Sequence, residues 1–161
     1  MSQNKSEPTS QQQTAERDQL RRQMAIQHQA ELEMNSLIQR MAGLVDKSKV
    51  AESRMEKHQI KNLLGVALDT RSVEVVKHYI LYQVGRDVSG ASWRRDDFGK
   101  ELVKAIESLK TDAERITRLV HDGLKLPAPS QPEIDETWMA LVRAFLGQFN
   151  RYFYYRKEET R

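Results

Sequence analysis

Arg54-Met-Glu-Lys-His58-Gln-Ile60-Lys61-Asn-Leu63-Leu64-Gly65-Val-Ala67-Leu68 has two different faces when wound as a helix at about 100° per residue. Ile60, Leu63, Leu64, Ala67 and Leu68 fall on one side, the spacing of a helix docked on a core. Arg54, His58, Lys61 and Gly65 fall together on another, a basic stripe that ends in the residue allowing closest backbone approach. Ser53-Arg-Met-Glu56 has the form of a capping box and predicts the start of this helix. A second helix is expected from Ser72 to Asp87, started by Thr70 or Ser72. It is apolar almost all round through Val73, Val75, Val76, Tyr79, Ile80, Leu81 and Val84, which predicts a central position. It stops at Gly85-Arg86-Asp87, with Arg86 in line with Tyr79 and Tyr82. Together the two helices suggest a scaffold that presents cations to a polyanion.

Outward from this pair, every recognisable element is helical. Residues 1–13 are polar and end in Gln11-Gln12-Gln13, a composition too poor in apolar groups to offset ordering entropy, so a disordered tail is expected. A long N-terminal helix follows from Thr14 to about Asp46, forming a helical arm over 14–50. Its stripe is thin (Leu20, Met24, Leu32, Met34, Leu37, Met41, Leu44) and rich in Met, which suggests contact with a partner protein. Residues 51–161 form the bundle domain. Ser89-Gly90-Ala91-Ser92 is a loop, and Trp93-Arg94-Arg95 beside it reads as exposed. Asp96 or Asp97 caps a helix through Leu109, and Thr111-Asp-Ala-Glu114 reads as a further capping box with a bend, before Gly123 ends that element. Ser130-Gln-Pro132-Glu133 starts the last helix, which runs to about Lys157. Its apolar line is Trp138, Leu141, Val142, Phe145, Phe149, Tyr152 and Phe153, with Arg143, Gly147, Asn150 and Tyr154 opposite and Arg151 nearby. No strand-type alternation and no fixed-period repeat is present. The expected fold is all-α, a compact bundle of about five or six helices.

Composition narrows the chemistry. The chain has 161 residues, a formal charge of +3 and no cysteine, which excludes disulfides and thiolate metal sites. No apolar run approaches a membrane span and no apolar signal core opens the chain, so a cytoplasmic protein without membrane contact is the simple expectation. There is no Gly-rich phosphate loop, nucleophile elbow or HExxH pair. His28, His58, His78 and His121 lie on different expected helices. Glu74 and His78 read as a surface pair, and Asp96-Asp97 as helix capping. No catalytic residue, metal ligand or cofactor is therefore assigned.

The remaining signals are basic and aromatic, and each has a plain alternative. The Arg54/His58/Lys61 stripe is also how a solvated helix face looks. The Tyr79/Tyr82/Arg86 alignment also suits a guanidinium packed on a ring. Trp93-Arg94-Arg95 suits base stacking or phosphate contact, and equally a surface turn. Arg156 and Lys157 suit a helix C-terminus through the helix dipole alone. Jointly, these features place cations on at least two helices of one small domain.

Three segments, in order, resemble the small subunit of type III CRISPR interference complexes of the Csm (type III-A) kind. His58-Gln-Ile-Lys61-Asn62-Leu-Leu is similar to that family's Ser-x-Leu/Ile-Arg-Asn-Leu stretch. Ile80-Leu-Tyr82-Gln-Val-Gly85-Arg86-Asp87 is similar to its aromatic-x-x-Gly/Ala-Arg segment, and Phe145 to Lys157 resembles its C-terminal helix with recurrent Phe and Tyr. The likeness covers about residues 53–157 and is loose over 88–137. Lys61 stands where the family has arginine, keeping the charge and losing the bidentate fork. The resemblance implies a non-catalytic helical subunit of an antiviral ribonucleoprotein. Its partners would be crRNA and target RNA, the backbone and large subunits, and further copies of itself. The expected RNA contacts are Arg54, His58, Lys61, Arg86, Arg94, Arg95, Arg143 and Arg151. The rival readings are a protein-only adaptor using the 14–46 arm, a DNA-binding helical regulator, and an enzyme whose site another chain completes.

Overall fold

A computed structural model of the protein describes residues 8–160, and over them the chain is an all-α bundle of six helices. They are α1 (Ser10–Leu32), α2 (Met34–Ser48), α3 (Lys57–Asp69), α4 (Val73–Arg86), α5 (Phe98–Gly123) and α6 (Gln131–Glu159). Single 3-10 turns lie at Val50–Glu52 and Arg95–Asp97.

The scaffold is the antiparallel hairpin of α5 and α6. Ser130 caps α6 by accepting from the Glu133 N–H, and a proline follows in the first turn, where its missing N–H has no cost. The indole N–H of Trp138 on α6 donates to the Ile106 carbonyl on α5 at 2.8 Å. Farther along, Phe98 of α5 stacks on Phe149 at 5.7 Å, and Phe149 on Phe153 at 6.2 Å. α1 and α2 run back along α5, fixed by Arg115–Glu33 and Arg40–Asp112 ion pairs. On the other side α3 lies antiparallel to α6 and α4 antiparallel to α5, the latter through Lys77–Glu107. No helix among the described residues is long and apolar enough to cross a membrane.

Several expectations are corrected. α1 starts at Ser10, so residues 10–13 are helical rather than part of a tail. Thr9 accepts from the Gln12 N–H, and the Gln12 side chain accepts from the Thr9 N–H, giving the first turn the cap that composition alone hides. Residues 1–7 of the expected tail lie outside the described residues. The single helix from Thr14 to Asp46 is two helices joined at Glu33, whose N–H is shared between the Gln29 and Ala30 carbonyls and whose carboxylate is held by Arg115. α1 buries no residue, whereas α2 buries Leu37, Met41 and Val45.

α5 does not bend at Thr111. Ile106, Leu109, Ala113 and Ile116 keep one apolar face in phase across that point, and a cap there would break the register. The central helices are α5 and α6, not α4: they bury eleven and nine residues, while α4 buries four and leaves Val75, Leu81 and Tyr82 exposed.

Candidate nucleic-acid interface

α3 and α4, with the turn that follows α4, enclose an open cleft of about 440 Å³. His58, Gln59 and Asn62 line it from α3, and Tyr79, Gln83 and Arg86 from α4. These positions recur at one-turn spacing on each helix, so each wall is one helix face.

The far end of the cleft is built by Asp87. Its carboxylate accepts from the backbone N–H groups of Ser92 (3.1 Å) and Arg94 (2.8 Å) and from the Ser89 hydroxyl. Burial pushes this carboxyl up, but the Arg94 and Ser92 donors, with Ser89, outweigh burial and hold it below the ordinary carboxylate value. The same bonds fold the 88–93 segment back on the bundle. They carry Trp93 inward, where it is 2% exposed and stacks on Phe98 at 5.9 Å. The expectation of an exposed Trp93 is therefore corrected: the ring continues the Phe98–Phe149–Phe153 column and closes the cleft.

The expected contacts fare unequally. His58 and Arg86 line the cleft together, and Arg86 is exposed, its guanidinium over the Tyr82 ring at 5.4 Å. Arg94 is exposed and joined to the cleft through its N–H on Asp87. Arg54 is exposed but is not on α3. Ser53 donates its hydroxyl to the Val50 carbonyl and accepts from the Met55 N–H, tying off a 3-10 turn, so α3 begins at Lys57 after Glu56. Arg54 instead reaches the same region through its backbone N–H, which donates to the Ala91 carbonyl at 3.0 Å. Lys61 is exposed on α3 one turn beyond His58. Among the described residues, none of Arg54, Lys61, Arg86 and Arg94 is held in an ion pair, so their charge is available to a ligand.

Three expected contacts lie elsewhere. Arg95 turns to the Glu52 carbonyl and to Asp96. Arg151 is exposed on α6 and does not line the cleft. Arg143 is half-buried and structural: its guanidinium donates to the carbonyls of Ala67 (2.9 Å) and Thr70 (2.7 Å), which the end of α3 leaves without intrahelical partners. Charge-assisted bonds of this kind are worth more than neutral ones. Arg143→Ala should therefore lower unfolding stability by about 1.5 kcal/mol, read by urea denaturation, with no change in the salt dependence of any ligand binding. A drop in that salt dependence would return Arg143 to the interface.

Tyr79 stands out in the sequence through its alignment with Arg86, whereas Gln59, Asn62 and Gln83 are not among the expected contacts. The signal that could have found them is their interleaving with His58 and Arg86 at helical spacing. Among the described residues, no group of three or more histidine and carboxylate side chains is placed to hold a metal ion. No family model matches the chain, and neither a curated protein nor a solved structure matches it.

Proposed function

We propose that the protein is a non-catalytic, RNA-binding small subunit of a type III CRISPR ribonucleoprotein, gripping the crRNA–target RNA backbone through the α3–α4 face. One observation carries this reading. The two segments that resemble the family's first two motifs, 58–64 and 80–87, supply opposite walls of one cleft and bring His58 and Arg86 together on it, with Lys61 exposed on the same helix as His58. Nothing in the sequence requires segments some twenty residues apart to meet in this way. Unpaired cations on a rigid helical frame suit phosphate contacts, which position a protein on RNA without reading bases. The modest net charge is compatible with this role if several copies share one RNA, because linked weak sites add through avidity.

The test is binding of a paired RNA duplex across a salt series, with Lys61→Ala/Arg86→Ala against the parent chain. The salt slope should flatten by roughly two, with helicity retained. An unchanged slope removes both residues from the interface. Recovery of CRISPR repeat-derived RNA with larger CRISPR-associated proteins on an affinity-tagged chain would support the wider assignment.

A second reading has its own observation. α1 leaves Leu20, Met24 and Leu32 exposed, and an open groove of about 740 Å³ runs between α1 and α6 beside Ile26, Met34 and Leu141. A protein-only adaptor would use α1, through its exposed apolar residues or the separate groove beside α6, and its partner would be retained at high salt in the absence of RNA.

A further inference from the structure

We propose that the α3–α4 cleft receives a single unstacked nucleotide of the bound RNA, its base among Asn62, Tyr79 and Gln83 and its phosphate toward His58 and Arg86. This inference rests on the RNA-binding reading and adds to it a pocket with a defined occupant.

The cleft differs in kind from a surface that only touches phosphates. Its volume of about 440 Å³ lies in the range of small-ligand sites, about 300–1,000 Å³. Its walls carry hydrogen-bonding side chains that the protein itself leaves unused. Among the described residues the side chains of His58, Asn62, Gln83 and the Tyr79 hydroxyl have no hydrogen-bond partner, although Tyr79 and Gln83 are half-buried. Trp93 also lines the cleft, and its buried indole N–H has no acceptor in the protein. Buried polar groups are normally satisfied, so the orphaned indole N–H of Trp93, beside amide and phenol groups that the protein leaves unused, marks a place where a ligand can supply the partners.

The chemistry of the lining selects the ligand. Two carboxamides offer both a donor and an acceptor and can turn over, so they can meet the edge of any of the four bases. Tyr79 adds an aromatic ring, a surface on which every base can stack. Arg86 and His58 line the cleft and are exposed, so a phosphate beside them would remain in solvent. The one acid of the cleft, Asp87, already accepts from two backbone N–H groups and a hydroxyl, so it is committed to the turn. A base inside an A-form duplex cannot reach such a cleft without leaving its stack, so the occupant is an unpaired nucleotide.

The test uses the full chain and three RNAs: a fully paired duplex, the same duplex with one bulged nucleotide, and that duplex with the bulged position abasic. Fluorescence anisotropy should show the bulged RNA bound about tenfold more tightly than the other two. Asn62→Ala/Gln83→Ala should bring the bulged RNA down to the abasic level. Photo-crosslinking from a 4-thiouridine at the bulge should map to the 79–83 segment. Equal binding of all three RNAs overturns the pocket while leaving backbone binding in place. Failure to bind any of them overturns the RNA reading itself.

Discussion

Phe149→Ala is expected to remove about 3–5 kcal/mol of unfolding stability. The ring is fully buried on α6 and stacks on Phe98 at 5.7 Å on one side and on Phe153 at 6.2 Å on the other. Removing it breaks a four-ring column at its middle and leaves a cavity that helices on both sides cannot collapse into. Domains of this size are typically stable by about 5–15 kcal/mol, so the loss is a large part of the whole. The measurement is a urea midpoint, which should fall with the slope unchanged. Leu119→Ala, on an exposed face of α5, should move it by no more than about 0.5 kcal/mol. A loss below about 1.5 kcal/mol for Phe149→Ala would mean that the column is not packed as described.

The second large effect is expected where α4 crosses α5. Gly99 is buried, and a Cβ there would overlap Val84 Cγ2 and stand 3.0 Å from the Trp93 carbonyl oxygen, which accepts the Gly99 N–H at 2.8 Å. The Trp93 atom is backbone, and Val84 is a β-branched residue with little rotamer freedom in a helix. Gly99→Val should therefore cost about 3 kcal/mol through overpacking. Gly99→Ala should cost less, because alanine's better helix propensity returns about 1 kcal/mol. A double-mutant cycle checks the cause. Combined with Val84→Ala, Gly99→Ala should be much less harmful than the sum of the two single changes, because the overlapping methyl is gone. Strict additivity would place the strain elsewhere. The crossing also sets the distance between α4 and the Trp93 turn, so Gly99→Ala is expected to weaken whatever the cleft binds.

The parts of this architecture legible in the sequence are those written as long, unbroken periodicity. The Trp138–Phe153 line names the buried face of α6, with Tyr152 half-buried at its edge, and Ile60, Leu63 and Ala67 name that of α3, whereas Leu68, expected on the same face, is 58% exposed and Leu64 half-buried. What could not be read depends on contacts between distant residues. Ser53 and Glu56 satisfy the pattern of a capping box, yet the pattern cannot tell a helix start from a 3-10 turn, and the helix starts three residues later than that pattern implies. Trp93 sits among arginines and a Gly-Ala-Ser loop. Only the Asp87 carboxylate, gathering two N–H groups from beyond the loop, turns it inward. Arg143 lies on the polar side of its helix and serves the fold because α3 happens to end against it. The cleft is half legible: His58 and Arg86 stand out by charge, while the neutral amides beside them are marked only by their helical spacing, which does not say that the two faces meet.

The position of α6 also has a consequence for how the protein comes into being. The helix that packs on α2, α3, α4 and α5 alike is the last element of the bundle to be made. Chains emerge from the amino end at about 5–20 residues per second, so the 29 residues of α6 add roughly 1.5 to 6 s during which the faces of α2, α3 and α5 that pack on α6 remain uncovered. The core that α6 closes is therefore completed only after the earlier helices have been made. A nascent chain stalled before Ser130 should be sensitive to protease and prone to chaperone capture, and release past Glu159 should abolish both together.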